Sequence, residues 1–318
     1  MDKKEQILQY LKQSQGFLSG EDICEKLQVS RTAVWKIIKL LREEGYEIEA
    51  VTNKGYRLLP SDSVYNASEI TGRLHTKWIG KNLTFLEETA STNLLAKAAG
   101  EGNGKHGDVF VARTQNGGRG RLGRSWSATD GGVYFTILLR PQNGSIQSVM
   151  PLTLLAGLAV CESIRRQSGL LAQIKWPNDV LVGQKKVCGI LCEMATEEDH
   201  IKYIVVGIGV NVENEPFDDS IAFSLKKTGL KRSPFLAGLL DDFERCYETY
   251  FHDFKKMSEK YKEYCCTLNR EVFILRNGEK RAAFAYDLTS DGELLVRLPD
   301  GTLKTVNSGE VSVRLDSK

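Results

Sequence analysis

The 318-residue sequence has no Cys-x-x-Cys pair and no P-loop, and each absence excludes a class of chemistry. Its seven cysteines, at 24, 161, 188, 192, 246, 265 and 266, and its four scattered histidines lack zinc-site spacing. No resident metal is expected, and the thiols are expected to be reduced and structural. Without a G-x-x-x-x-G-K-[ST] run, a Walker-type phosphate grip is excluded. No apolar run approaches the roughly 18 to 20 residues of a membrane span, so a cytoplasmic protein with no membrane partner is expected. Solenoid repeats and low-complexity tracts are also missing. What remains is ordinary globular material, 41% hydrophobic and 26% charged, long enough for two or three domains. The net charge of +2 does not mark a nucleic-acid binder, so the placement of the charges decides that question.

Residues 1 to about 60 read as three short helices and a hairpin, the layout of a winged helix-turn-helix. Ile7, Leu8 and Leu11 mark the first helix, and Ser19 with Asp22 resembles a capping box opening the second. The turn Gln28-Val29-Ser30 leads into a third helix with two stripes. Val34, Ile37, Ile38 and Leu41 lie on one stripe, and Thr32, Trp35, Lys36 and Lys39 on the other. Between Ser30 and Arg42 there are bases and no acid, although residues 1–60 as a whole are nearly balanced. Strand-like runs around Asn53-Lys54-Gly55 make a wing with Lys54 near its tip. A solvated amphipathic helix is the plain alternative, but turn, basic stripe and hairpin together favour DNA contact through Arg31, Thr32, Trp35, Lys36, Lys39 and Lys54.

From Pro60 to about Glu69 the chain is polar and reads as a linker. Residues from about 75 to 265 mix strand-like and helical stretches, as in an α+β enzyme core. Beyond 270, Asn277-Gly278, Asp291-Gly292 and Asp300-Gly301 punctuate alternating apolar residues, which predicts hairpins and a small β-barrel. The expected domains are 1–62, 63–268 and 269–318.

The most informative segment is Gly117-Gly118-Arg119-Gly120-Arg121-Leu122-Gly123-Arg124-Ser125-Trp126. Residues 118–123 match G-x-G-x-x-G, but no helix or acid follows where a dinucleotide fold needs one, and position 138 is Leu. What is left is a glycine-rich loop with Arg113, Arg119, Arg121 and Arg124 and no acid from Val109 to Thr129. Glycine lets backbone approach a ligand and guanidinium forks suit phosphate or carboxylate oxygens, so the loop is expected to face a polyanion. A basic surface loop for nucleic acid is the alternative. Two further clusters weigh against it: Lys175-Trp176-Pro177-Asn178-Asp179 with Lys185-Lys186-Val187-Cys188-Gly189-Ile190-Leu191, and Gly207-Ile208-Gly209-Val210-Asn211. Glycines inside apolar strands mark close approach of another group.

In these pieces, together with Ser91-Thr92-Asn93 and Gln115, the sequence resembles the biotin protein ligases that carry an N-terminal DNA-binding domain. The matches run in the family's order through most of the chain. The resemblance implies a class II synthetase-like mixed-sheet ligase core followed by an SH3-like barrel. It implies two half-reactions: biotin and ATP give biotinyl-5′-adenylate and pyrophosphate, then a lysine of biotin carboxyl carrier protein takes the biotinyl group. Lys186, Arg119, Arg121 and Asp179 are the implied catalytic set. Ser91, Thr92, Asn93, Gln115, Gly118, Gly120, Trp126, Gly189, Leu191 and Gly207 are implied around biotin, with Arg119, Arg121 and Lys186. Lys175, Asn178, Asp179 and Asn211 are implied near ATP, whose phosphates Mg²⁺ screens. Operator DNA and a homodimer promoted by biotinyl-adenylate are the other implied partners. A ligand-sensing transcription factor without catalysis and a lipoate-type ligase are the alternatives. The segment Glu213 to Leu225, which should close over adenine, receives no residue roles.

Overall fold

The first three helices open on short polar side chains that accept backbone N–H groups left over at a helix start. Asp2 and Glu5 form a reciprocal capping box on α1 (Lys3–Gln13). Ser19 accepts from Glu21 N ahead of α2 (Gly20–Leu27), and Ser30 from Ala33 N ahead of α3 (Arg31–Glu43). Gln28, in the left-handed region, makes the tight turn between α2 and α3. Ile7, Leu11, Ile23, Val34, Ile38 and Leu41 fill one core against the hairpin of β1 (Ile48–Val51) and β2 (Gly55–Leu58).

This computed structural model describes residues 2–59, 62–141, 149–197, 200–215, 218, 220–251, 253–276, 279–307 and 312–315. They form two compact units, Met1–Gly72 and Arg73–Lys318. The polar stretch read as a linker is built into the first unit. Val64 joins its core, Asn66 caps α4 (Ala67–Thr71) and bonds Tyr46 Oη at 3.2 Å, and Lys12 pairs with the buried Glu69 at 2.6 Å. Polar composition concealed these anchors, because each polar side chain spends its bond inside the unit.

The second unit is built on a seven-stranded mixed sheet. In chain order its elements are β3 (Leu83–Thr89), α5 (Thr92–Glu101), β4 (Val109–Gln115), β5 (Val133–Leu139), α6 (Met150–Ser168), β6 (Ala172–Lys175), β7 (Asp179–Val182), β8 (Lys185–Glu197), β9 (His200–Val210), α7 (Arg232–Tyr250) and α8 (Phe254–Tyr264). The strand order is β3-β4-β5-β9-β8-β7-β6, with only β3 and β4 parallel. Every residue of β5 is buried, so both faces of the sheet are covered. α5 packs on β4, β5 and β9, and the almost wholly buried α6 packs on β6 to β9 and on α7.

The tail forms a five-stranded antiparallel sheet from β10 (Arg270–Arg276), β11 (Glu279–Leu288), β12 (Leu294–Arg297), β13 (Leu303–Val306) and β14 (Ser312–Leu315), ordered β13-β12-β11-β10-β14. The hairpin residues Asn277 and Gly278 lie outside the described residues. Gly292 O accepts from Trp176 Nε1 at 3.0 Å, which ties this sheet's β11–β12 turn to the turn between β6 and β7. No helix among the described residues is long and apolar enough to cross a membrane.

Candidate active site and nucleic-acid interface

Strand alternation builds the cavity floor. Tyr203 and Val205 on β9 pack against Ala96 of α5, and two residues further along the same face come Gly207 and then Gly209. Their partners on β8 are Leu191 and Gly189. Towards the N-terminal start of α5 this face therefore carries almost no side chain, and a cavity of about 180 Å³ opens there.

None of the three floor glycines admits a Cβ without a shift, and one on Gly189 would fall 2.8 Å from the Trp126 ring. A Cβ on Gly207 would fall 2.0 Å from Asn93 Oδ1, and one on Gly209 2.7 Å from Trp126 Nε1. Trp126 lies across the cross-strand pair Gly189 and Gly209, and its buried Nε1 has no hydrogen-bond partner among the described residues.

The start of α5 forms one wall. Ser91 occupies its N-cap position, yet its side chain makes no cap bond and lines the cavity. Helix starts favour anions and polar acceptors. Gln115 Oε1 accepts from Thr92 N at 2.8 Å and from Thr92 Oγ1 at 3.2 Å. Asn93 also lines the cavity, but its amide is spent internally, on Leu191 O and Glu193 Oε2, while Thr136 Oγ1 lies 2.7 Å from its oxygen. It serves to hold α5 on the sheet.

The loop between β4 and β5 forms the roof, cross-linked by bridges between Arg119 and Ser125 and between Gln115 and Ala128. Arg119, Gly120 and Arg121 line the cavity. Gly118 does not; its carbonyl accepts from Trp126 N at 2.9 Å, and it faces a neighbouring open groove that Arg119 also borders. Arg121 Nη1 donates to Asn178 Oδ1 at 3.0 Å, and Asn178 Nδ2 in turn bonds Ile190 O at 2.9 Å. Burial pulls the Arg121 guanidinium below its ordinary value, against the opposing pull of Asp179.

Lys175, Asn178 and Asp179 line the far wall, and Asp179 Oδ1 pairs with Lys186 Nζ at 2.6 Å. Asp179 is the only carboxylate among the described lining residues, and they contain no cluster of His, Cys, Asp or Glu able to hold a metal. Asn211, expected near the nucleotide, is not among the lining residues. It is 7% exposed and braces the segment after β9, donating to Phe223 O at 3.1 Å and accepting from Asn214 Nδ2 at 3.0 Å. That segment returns to Lys186, whose backbone exchanges bonds with Ile221 O and Phe223 N, both at 2.8 Å. Positions 216, 217 and 219 of it lie outside the described residues.

Arg124, named in the sequence as one of the loop arginines but given no role at the site, also lines the cavity, as do Ser125, Trp176, Pro177, Ile190, Ile208 and Gly209. Ser125 and Ile208 carry no distinguishing pattern in the sequence, whereas Trp176, Pro177, Ile190 and Gly209 lie inside the motifs that pointed to the site.

In the first unit, Thr32, Trp35, Lys36 and Lys39 are exposed on α3, and Trp35 is 56% exposed. Arg31 and Lys54 line one cleft of about 530 Å³ between helix and wing. Arg31 is held by Glu21 at 3.2 Å and Lys39 by Glu43 at 3.7 Å. Arg42, at the end of the acid-free run, donates to Ile48 O.

Family models match three stretches: an HTH domain over residues 3–57, the biotin/lipoate A/B protein ligase family over 85–211, and the biotin protein ligase C-terminal domain over 267–314. The bifunctional ligase/repressor BirA of Bacillus subtilis is 35% identical, covering 93% of this chain and 94% of its own length. The Escherichia coli protein of the same name is 29% identical over 95% of this chain. A biotin protein ligase from Aquifex aeolicus, solved in complex with biotin and ATP, superposes with a TM-score of 0.64 at 32% identity, over 74% of this chain and all of the other. With an HTH unit before a ligase core and these relatives along nearly its whole length, the chain belongs to the bifunctional ligase/repressor family of biotin protein ligases.

Proposed function

We propose that this protein condenses biotin with ATP to biotinyl-5′-adenylate, transfers the biotinyl group to a lysine of biotin carboxyl carrier protein, and represses biotin genes by binding operator DNA. The observation that carries the catalytic half is the convergence of Arg119, Arg121, Lys186 and Asp179 on one cavity.

The first step brings a carboxylate against a triphosphate, so cations must neutralise both where they meet. Lys186 bridges the biotin carboxylate and the α-phosphate; Asp179 fixes its ammonium, and the Trp126 face lies 5.1 Å from it. Arg119 and Arg121 take phosphate oxygens, with Arg121 aimed by Asn178. The glycine floor under Trp126 gives biotin an apolar wall, and Ser91, Thr92 and Gln115 address its polar groups. Mg²⁺ comes in on the triphosphate and screens its charge. One lining carboxylate fits such a substrate-borne ion better than a resident metal. Lys175 and Asn178 lie on the nucleotide side.

DNA is read by Thr32, Trp35 and Lys36 in the major groove, with Arg31, Lys39 and Lys54 on phosphates. One small module selects a genomic site poorly, so two copies bind a two-fold operator, and bound adenylate promotes their pairing. A protein that acts on a carrier protein and on genomic DNA works in the cytoplasm.

Incubation of the purified protein with biotin, ATP, Mg²⁺ and a carrier domain should add one biotinyl mass to the carrier; no mass gain overturns the ligase reading. Sedimentation with and without biotin plus ATP should shift toward dimer, and an unchanged profile removes the coupling.

A further inference from the structure

Arg232 opens α7 and, although charged, is 9% exposed. Its Nη1 donates to Asp130 Oδ1 at 2.6 Å and its Nε to Glu213 Oε2 at 3.1 Å. A guanidinium presents donors in a rigid planar fork, which suits it to fix two carboxylates at a set spacing.

The two carboxylates come from the two segments that flank the cavity. Asp130 ends the arginine-rich loop between β4 and β5, and Glu213 begins the segment that follows β9. Backbone joins them at the same place, where Glu213 N donates to Gly131 O at 2.7 Å. The loop carries Arg119, Arg121 and Trp126 over the cavity. The second segment reaches the backbone of Lys186 through Ile221 and Phe223. Arg232 itself does not line the cavity.

The surroundings reinforce this node. Lys231 pairs with Glu213 at 2.9 Å and Arg113 stands 3.8 Å from Asp130, so two acids meet three cations. Burial would raise Asp130, but the bond and charge of Arg232 outweigh it and hold the carboxyl below its usual range.

We propose that Arg232 is a positioning residue for the ligase reaction, a buried pin that ties the end of the arginine-rich loop at Asp130 to Glu213 at the start of the segment after β9, beside the cavity that takes the adenylate. The proposal rests on the ligase reading above. Arg232 lies outside the cavity lining, so its loss removes no group from the site but lets the two arms part. Misplacement of this kind costs up to about 100-fold.

The test uses full-length Arg232→Gln, Arg232→Lys, Glu213→Gln and Asp130→Asn proteins with biotin, ATP and Mg²⁺. Four quantities are read: kcat and KM for ATP in pyrophosphate exchange, the escape rate of preformed biotinyl-adenylate, and the melting temperature. Arg232→Gln should raise KM and the escape rate by roughly 10- to 100-fold while kcat is largely kept. Arg232→Lys should recover part of the loss, and the two carboxylate variants should each show a smaller shift of the same kind. A Gln variant with wild-type KM and escape rate overturns the proposal, as does a loss confined to kcat. If Arg232→Gln does not fold, Glu213→Gln and Asp130→Asn decide, and wild-type values in both overturn it. A wild-type protein that forms no adenylate overturns the ligase reading itself.

Discussion

Lys186 Nζ stands 2.6 Å from Asp179 Oδ1, and the two residues sit on adjacent antiparallel strands whose register shifts between Val180 and Leu181. A bulge re-aims side chains, and here it brings together two residues that are not direct cross-strand partners. An ammonium has three donors, so its pair with Asp179 leaves capacity for substrate oxygens.

Removing that ammonium should strip the site of its bridging cation. Lys186→Ala is expected to slow adenylation by about 100- to 1,000-fold while the fold persists, because Lys186 is only partly buried. Pyrophosphate exchange measures the step, and a normal rate would remove Lys186 from the mechanism.

The glycine floor makes a sharper geometric demand. In Gly209→Ala the new Cβ would lie 2.7 Å from Trp126 Nε1, too close to stay, so the ring must lift off the β8–β9 pair. Adenylation is expected to fall by roughly 10- to 100-fold, with altered tryptophan fluorescence on adding biotin. An Ala variant with wild-type rate and emission would mean that the ring position is immaterial.

DNA contact separates by salt. Lys36 is exposed on α3 with no acid in the helix's first turn. If it neutralises one phosphate, Lys36→Ala should weaken binding to any duplex and lower the slope of log affinity against log salt by about 1. Trp35→Ala should chiefly relax sequence preference. Equal salt slopes for wild type and Lys36→Ala would put Lys36 off the DNA.

Much of this was legible in the residues, for identifiable reasons. Helical periodicity gave α3 its inner stripe, and the combination of the arginine-rich loop with Lys175-Trp176-Pro177-Asn178-Asp179 pointed to one polyanion site. What escaped was whatever depends on partners distant in sequence. Asn93 and Asn211 look like ligand groups in the chain; in the structure Asn93 lines the cavity while bonding Leu191, Glu193 and Thr136, and Asn211 lies outside the lining and bonds Phe223 and Asn214. Val64, Asn66 and Glu69 read as linker because their anchors, the helical core, Tyr46 and Lys12, lie about 20 or more residues earlier. Arg232 gave no sign, since Asp130 and Glu213 reach it from two separate loops.

The cysteines offer a test of the packing that is independent of catalysis. Burial disfavours the charged thiolate, so the Cys161, Cys192 and Cys246 thiols are pushed up to about 12 and Cys266 to about 11. The sign follows directly: a raised value means that thiolate forms only as pH climbs toward it. At pH 8 the first three hold thiolate in about one molecule in ten thousand, and iodoacetamide attacks the thiolate. Native protein at pH 8 should therefore label slowly at these positions, and Cys24, partly exposed in α2, should label first. In urea all seven should react, because the cost of burying charge vanishes with the fold. Peptide mass mapping distinguishes the positions. Rapid native labelling of Cys161 or Cys246 would mean that the packing of α6 against α7 opens far more readily than their burial implies.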